Sequence, residues 1–229
     1  MGTDNVVFLE VIEWFDETGK ELVHRIPEKG SGEIKFFGAQ LTVRESQTAL
    51  LRAAALLKEF KPLHDIWLVH FTGEEFPPDD LGAREFLARL MRAGQDITGL
   101  VLMDLIGWRA EKDDIFQVNP GDSAASMRMA AEAFDAARAL RIKFRPKLRP
   151  RFDSRIYLYN TDGLLFSDTG YPVVLLNEHM NRLENLNRVG YHHTTDTSRK
   201  IDWEYAASIA KTAIETAARL SCTPPPASR

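Results

Sequence analysis

Residues 66–75 read IWLVHFTGEE, a mostly apolar run at 66–71 followed by a threonine, a glycine and two glutamates. The run at 66–71 is typical of a strand buried on both faces of a sheet. Two similar runs follow, one at 97–103, which ends at Asp104, and one at 172–176. Helical patterns separate these runs, and the alternation predicts an α/β fold.

Four segments have apolar residues at helical spacing. They are 45–60, a segment from Asp79 or Asp80 to about 93, 123–140, and a segment from Asp202 to about 220. Aspartate or serine stands at the start of the last three, where its side chain can cap the helix.

The N-terminal region predicts further strands. Residues 6–15 are rich in β-branched and aromatic side chains, and the turn at 16–19 predicts a hairpin with a returning strand at 21–26. Short strands are also predicted at 34–37 and 40–43. We therefore expect a three-layer α/β fold, with a mixed, mostly parallel sheet and helices on both faces. One domain is expected over 1–222, followed by a disordered Pro-rich tail at 223–229.

Composition excludes several classes of protein. The net charge is −4, and the basic cluster at 141–151 is interrupted by prolines, so we interpret it as a solvated loop or edge and expect no nucleic-acid surface. Cys222 is the single cysteine, so any metal must be held by His, Asp and Glu. No apolar run approaches the ~18 residues of a membrane span, and no signal peptide is visible, which makes the cytoplasm the default expectation.

Acidic residues follow two of the buried runs. Glu74, Glu75 and Asp104 are expected at the carboxyl edge of the sheet, where open α/β sheets bind ligands. One such acid is more often a helix cap or an ion-pair partner, but three in one place need a cation or a proton between them. His192 lies in YHHTTDT at 191–197, after the third run, and His with carboxylates is a typical zinc ligand set.

These segments resemble peptidase family M28, the zinc aminopeptidases, and the related glutaminyl cyclases. The GEE at 73–75 resembles the family's Glu-Glu motif, LGAREF at 81–86 resembles the helix that follows it, and LMDLIG at 102–107 resembles the strand ending in a metal-binding Asp. TDGLLF at 161–166 resembles a Ser-Asp-His-x-x-Phe segment, and YHHTTD at 191–196 resembles Tyr-His-Thr-x-x-Asp. The matches occur in the family's order over roughly residues 40–220.

The resemblance implies roles for individual residues. Glu74 would be the general base that activates metal-bound water, and Glu75 and His192 would be zinc ligands. Asp104 would bind a second zinc in a two-metal enzyme, or support the site of a one-metal cyclase. Asp162 would orient a ligand or the substrate amine. Zinc, as one or two ions, is the implied cofactor, although such ligand sets also accept manganese or cobalt.

Two earlier motifs of the family are not matched. No His-x-Asp is found upstream of Glu45, and the position of the metal-bridging Asp holds Arg44 with Glu45 beside it. Either an upstream segment is missing from this chain, or Glu45 replaces the bridging acid. A third alternative is that Arg44 neutralises the acids and leaves an inactive domain.

Three functions remain open at the sequence level. The first is removal of N-terminal residues from peptides by hydrolysis, with a peptide or N-terminal amine as substrate. The second is one-zinc cyclisation of N-terminal glutamine, in which Trp108 is a candidate aromatic wall. The third is a module without catalysis. His179 is predicted to be a surface or packing residue, and His70 a core histidine.

Overall fold

The computed structural model describes residues 6–12, 34–37, 45–71, 73–74, 79–109, 114–180 and 197–223. Within these ranges seven strands form one sheet, in the order β2-β3-β1-β4-β7-β5-β6. Every neighbouring pair is parallel except β5 and β7, which confirms the mixed, mostly parallel sheet. The strands are β1 Val6–Ile12, β2 Ile34–Phe37, β3 Asp65–Phe71, β4 Ile97–Met103, β5 Ile115–Pro120, β6 Arg145–Leu148 and β7 Val173–Glu178.

Helices pack on both faces of this sheet. The described helices are α1 Glu45–Leu57, α2 Leu81–Ala93, α3 Ala124–Ala139, α4 Gly163–Asp168 and α5 Trp203–Cys222. One core lies between the sheet and α1, α3 and α5, and a second core lies between the sheet and α2 and α4. Leu68 belongs to the first core and Trp67 to the second, which is why β3 is apolar at successive positions. No described helix combines the length and the apolar character that a bilayer crossing requires.

β1 occupies the centre of the sheet, and the predicted hairpin is wrong. Its residues pair in parallel with β3 on one side and with β4 on the other. Both hydrogen-bonding edges are therefore occupied, and no returning strand can pair with it. The segment 21–26 itself lies outside the described residues, as do 40–43 and most of the tail.

Two strands at the far end of the sheet were missed. β5 runs antiparallel to β7, and β6 pairs with β5 at the edge, where Pro146 is tolerated. The interpretation of 141–151 as a solvated segment is wrong for Arg149, which is only 4% exposed.

His70 on β3 makes the stability of the fold depend on pH. Both ring nitrogens are shielded from solvent, and burial lowers the pKa of His70 from 6.5 to about 4. Between these two values the unfolded chain binds a proton that the folded chain does not. The free energy of unfolding is therefore expected to fall by up to ~3 kcal/mol as pH drops through this window. Urea denaturation from pH 7 to pH 4 should show a shallower decline for His70→Gln; an equally steep decline would assign the effect to other groups.

Candidate active site

Glu74 stands at a sharp turn after β3. Gly73 has a φ of 68°, a left-handed conformation that glycine adopts at little cost. The carbonyl groups of Gly73 and Glu74 accept hydrogen bonds from the backbone N–H groups of Leu81 (3.1 Å) and Asp80 (3.2 Å). These two hydrogen bonds hold the turn against the start of α2. The turn leads the chain out of the strand at this point, as expected for a glycine here.

Asp104 stands at the end of β4, in a loop that is fixed by β7. Leu105 has a φ of 47°, and its carbonyl accepts the N–H of Glu178 at 2.9 Å. The carboxylate of Glu178, which is fully buried, accepts the N–H of Trp108 at 2.8 Å. The loop after Asp104 is therefore held against the carboxyl end of β7.

Asp162 is the most unusual acid of the described residues. It is fully buried at the start of α4, and neither carboxylate oxygen has a hydrogen-bond donor within the described part of the chain. Burial raises the pKa of Asp162 well above its usual range, and so does its contact with the carboxyl group of Asp80. The negative charges of Glu74 and Asp104 raise it further. Four acids from four segments therefore face one region.

Asp80 belongs to this group, which corrects its assignment as a helix cap. It occupies the capping position of α2, but its side chain makes no cap hydrogen bond. Its neighbour Asp79 pairs with Arg84 at 2.6 Å, and both aspartates have left-handed backbone conformations. The carboxyl group of Asp80 instead lies near that of Asp162, and its negative charge contributes to the raised pKa of Asp162.

Gly163 explains a departure from the resembled Ser-Asp-His segment. A Cβ atom at this position would lie 2.4 Å from Leu158 Cδ1 and 3.1 Å from Leu102 Cδ2. A larger residue at this position, such as the histidine of that motif, therefore requires the side chain of Leu158 to shift.

The structure brings together only some of the residues named from sequence. Glu74, Asp104 and Asp162 converge, and Glu45 is the first residue of α1. Glu75, His192 and Arg44 lie outside the described residues, so their roles stay predictions. Within the ranges that are described, no group of three or more His, Cys, Asp or Glu side chains has the arrangement of a metal site.

Sequence reasoning missed Asp80 and Glu178. Asp104 was selected because open α/β sheets bind ligands at the carboxyl ends of their strands. The same rule would have selected Glu178, since Glu178 is the last residue of a buried strand. Asp80 gave no such signal, because an aspartate before a helix is ordinarily a cap.

The acids that converge here have the chemistry expected around a cation. Uncompensated buried carboxylates are costly, and a positive ion or a proton removes that cost. The negative charges of Glu74 and Asp104 near the buried carboxyl group of Asp162 therefore favour a positive ion or a proton in this region.

Comparison with known proteins gives one family and one fold. Residues 46–217 match the model of peptidase family M28. No curated protein sequence matches the chain.

Several solved structures have a similar fold. The LapA aminopeptidase of Legionella pneumophila has a TM-score of 0.66 at 14% identity, over 97% of this chain and 53% of its own. The zinc aminopeptidase BSAP of Bacillus subtilis has a TM-score of 0.67 at 14% identity, with 98% and 48% covered. A glutaminyl cyclase of Fimbriiglobus ruber has a TM-score of 0.60 at 15% identity, with 96% and 73% covered. These identities show a shared fold, and the chain spans about half the length of the two aminopeptidases.

Proposed function

Because the chain belongs to peptidase family M28, we propose that it removes N-terminal residues from peptides by metal-dependent hydrolysis. The observation that supports this function is the convergence of Glu74, Asp104 and Asp80 on the buried carboxyl group of Asp162. An acidic region of this kind suits both a divalent cation and the positively charged amine of a peptide N-terminus.

In this proposal Glu75, Asp104 and His192 hold zinc, with Glu45 as a further ligand candidate, and one or two ions would act as a Lewis acid on the substrate carbonyl. Glu74 takes the proton from the attacking water and returns it to the departing amine. The neighbouring carboxyl groups of Asp80 and Asp162 accept hydrogen bonds from the substrate's terminal ammonium group. Glu178 and Leu105 keep Asp104 in place through the loop they fix.

Cyclisation of N-terminal glutamine is the second candidate. That reaction moves a proton from the attacking α-amine to the departing ammonia, and a positioned carboxyl group is suited to such a transfer. The pairing of Asp80 with Asp162 beside Glu74 is the feature that favours it.

Two measurements on the purified chain test these functions. Metal analysis after dialysis should find about one or two zinc ions per chain if the proposed ligands act together. Incubation with leucinamide should then release free leucine, whereas a cyclase would release ammonia only from glutaminyl peptides. Absence of both products with zinc, manganese and cobalt supplied in turn would reject both enzymes in favour of a domain without catalysis.

A further inference from the structure

A second group of charged side chains lies on the same side of the sheet as the acids. Nε2 of His179 is 3.0 Å from Nη2 of Arg149 and 3.1 Å from Nη1 of Arg155. Guanidinium groups only donate hydrogen bonds, so Nε2 must accept both and the ring proton must be on Nδ1. Two cations therefore converge on a single lone pair of a buried imidazole.

Within the described residues, one carboxylate forms an ion pair with this group. Arg149 pairs with Asp153 at 3.1 Å and donates to Gln117 Oε1 at 3.1 Å. The guanidinium of Arg155 contacts His179, and no carboxylate of the described residues forms an ion pair with it. Among the described residues, Asp153 therefore pairs with Arg149 alone, and the guanidinium of Arg155 is positioned to pair with a carboxylate of a ligand.

Neighbouring strands fix the position of this cationic group. Gln117 also accepts the N–H of Met180 at 3.0 Å, and Tyr205 Oη accepts the N–H of His179 at 2.9 Å, so the chain just past β7 is held on both sides. These contacts of Gln117 and Tyr205 hold the backbone of His179 and Met180 in the position where the imidazole meets both guanidinium groups. A ligand would find them already in place.

The cationic group and the acids belong to the same edge of the sheet. β4 and β7 are parallel with Met103 opposite Leu176, which places Asp104 beside Asn177. His179 follows two residues later, so the Cα atoms of Asp104 and His179 are separated by roughly 8 Å. That span suits a small substrate whose amine lies at the acids and whose carboxylate lies at the arginines.

We propose that Arg149, Arg155 and His179 bind a carboxylate group of the substrate. The preferred substrates are then short peptides with an acidic N-terminal side chain or with a free terminal carboxylate close to the scissile bond. This assignment rests on the proposed peptidase function for the identity of the ligand. The contacts of the two arginines with His179 are independent of the reaction.

Binding of small probes tests the assignment without any turnover. The probes are glutamic acid α-amide, which carries only a side-chain carboxylate, alanyl-alanine, which carries only a terminal one, and alanyl-alaninamide, which carries neither. Calorimetric titration of the zinc-supplemented wild type should show tighter binding of at least one acidic probe than of the neutral one. The acidic probe that binds more tightly shows whether the site takes a side-chain carboxylate or a terminal carboxylate.

Arg155→Gln should weaken binding of the preferred acidic probe about 10- to 100-fold, as expected for loss of a charge-assisted hydrogen bond. Arg155→Lys should retain part of the affinity, and Arg138→Gln, an exposed position on α3, should retain all of it. Equal binding of acidic and neutral probes by the wild type would overturn the assignment, and so would unchanged binding by Arg155→Gln. If the probes bind as expected but no peptide is cleaved, the hydrolytic function fails and the carboxylate site stands.

Discussion

Glu74→Gln is expected to lower kcat by about 10²- to 10⁴-fold, the usual contribution of a positioned acid–base group. The amide has nearly the same shape as the carboxylate but cannot take a proton from water. The backbone of Glu74 is fixed by Gly73 and by its bond to Asp80, so the exchange should not disturb the turn. Steady-state kinetics with leucinamide give the rate, and metal analysis with circular dichroism verifies that the variant still folds and binds metal.

Glu59→Gln is the matched control, because Glu59 is exposed near the end of α1, away from the carboxyl edge. It should leave both kcat and KM unchanged. A Glu74→Gln variant with full activity and full metal content would remove Glu74 from the reaction and transfer the role of base to another acid of the group.

Asp162→Asn is expected to have opposite effects on activity and on stability. Activity should fall about 10- to 100-fold, as when a group that orients ligands is lost. The free energy of unfolding of the metal-free protein at pH 7 should rise by about 1–3 kcal/mol, since a buried carboxyl group without donors is replaced by an amide. The amide can also donate hydrogen bonds to the neighbouring acids. Urea denaturation and steady-state kinetics measure the two effects.

The free energy of unfolding of Asp162→Asn should also depend on pH differently from that of the wild type. The raised pKa of Asp162 means that the folded state favours the protonated form. The resulting stabilisation is complete below the unfolded pKa of about 3.9 and is lost as pH rises through the raised value. Asp162→Asn should abolish this loss, whereas Asp135→Asn, at an exposed ion pair on α3, should not. Destabilisation of Asp162→Asn with an unaltered pH profile would contradict the burial of an uncompensated acid.

Local sequence patterns were sufficient for the elements that present the acids. Strands buried on both faces are apolar at every position, so β3, β4 and β7 were recognisable without any partner. Because their carboxyl ends share an edge, Glu74 and Asp104 could be placed together in advance. β5 was not recognised because some of its buried residues are polar. Gln117 and Asn119 are fully buried and form hydrogen bonds with Asn177 and its surroundings.

The other errors have a common physical origin in contacts between distant segments. An aspartate before a helix is a cap by every local rule, and only its contact with Asp162 gives Asp80 a different role. Likewise, the basic segment at 141–151 resembles a solvated loop until Gln117, Asp153 and His179 surround Arg149. The pattern within one segment contains no information about such partners.

The central place of β1 has a consequence for how the molecule is assembled. The β2–β3 pair and the β4–β7–β5–β6 group are joined in the sheet only through β1. During synthesis β1 emerges long before either neighbour, so the nascent chain must wait for two distant partners, a topology that favours slow folding. A chain expressed without residues 1–12 should be left with two unjoined half-sheets, and a synthetic peptide of that sequence should restore it by strand complementation.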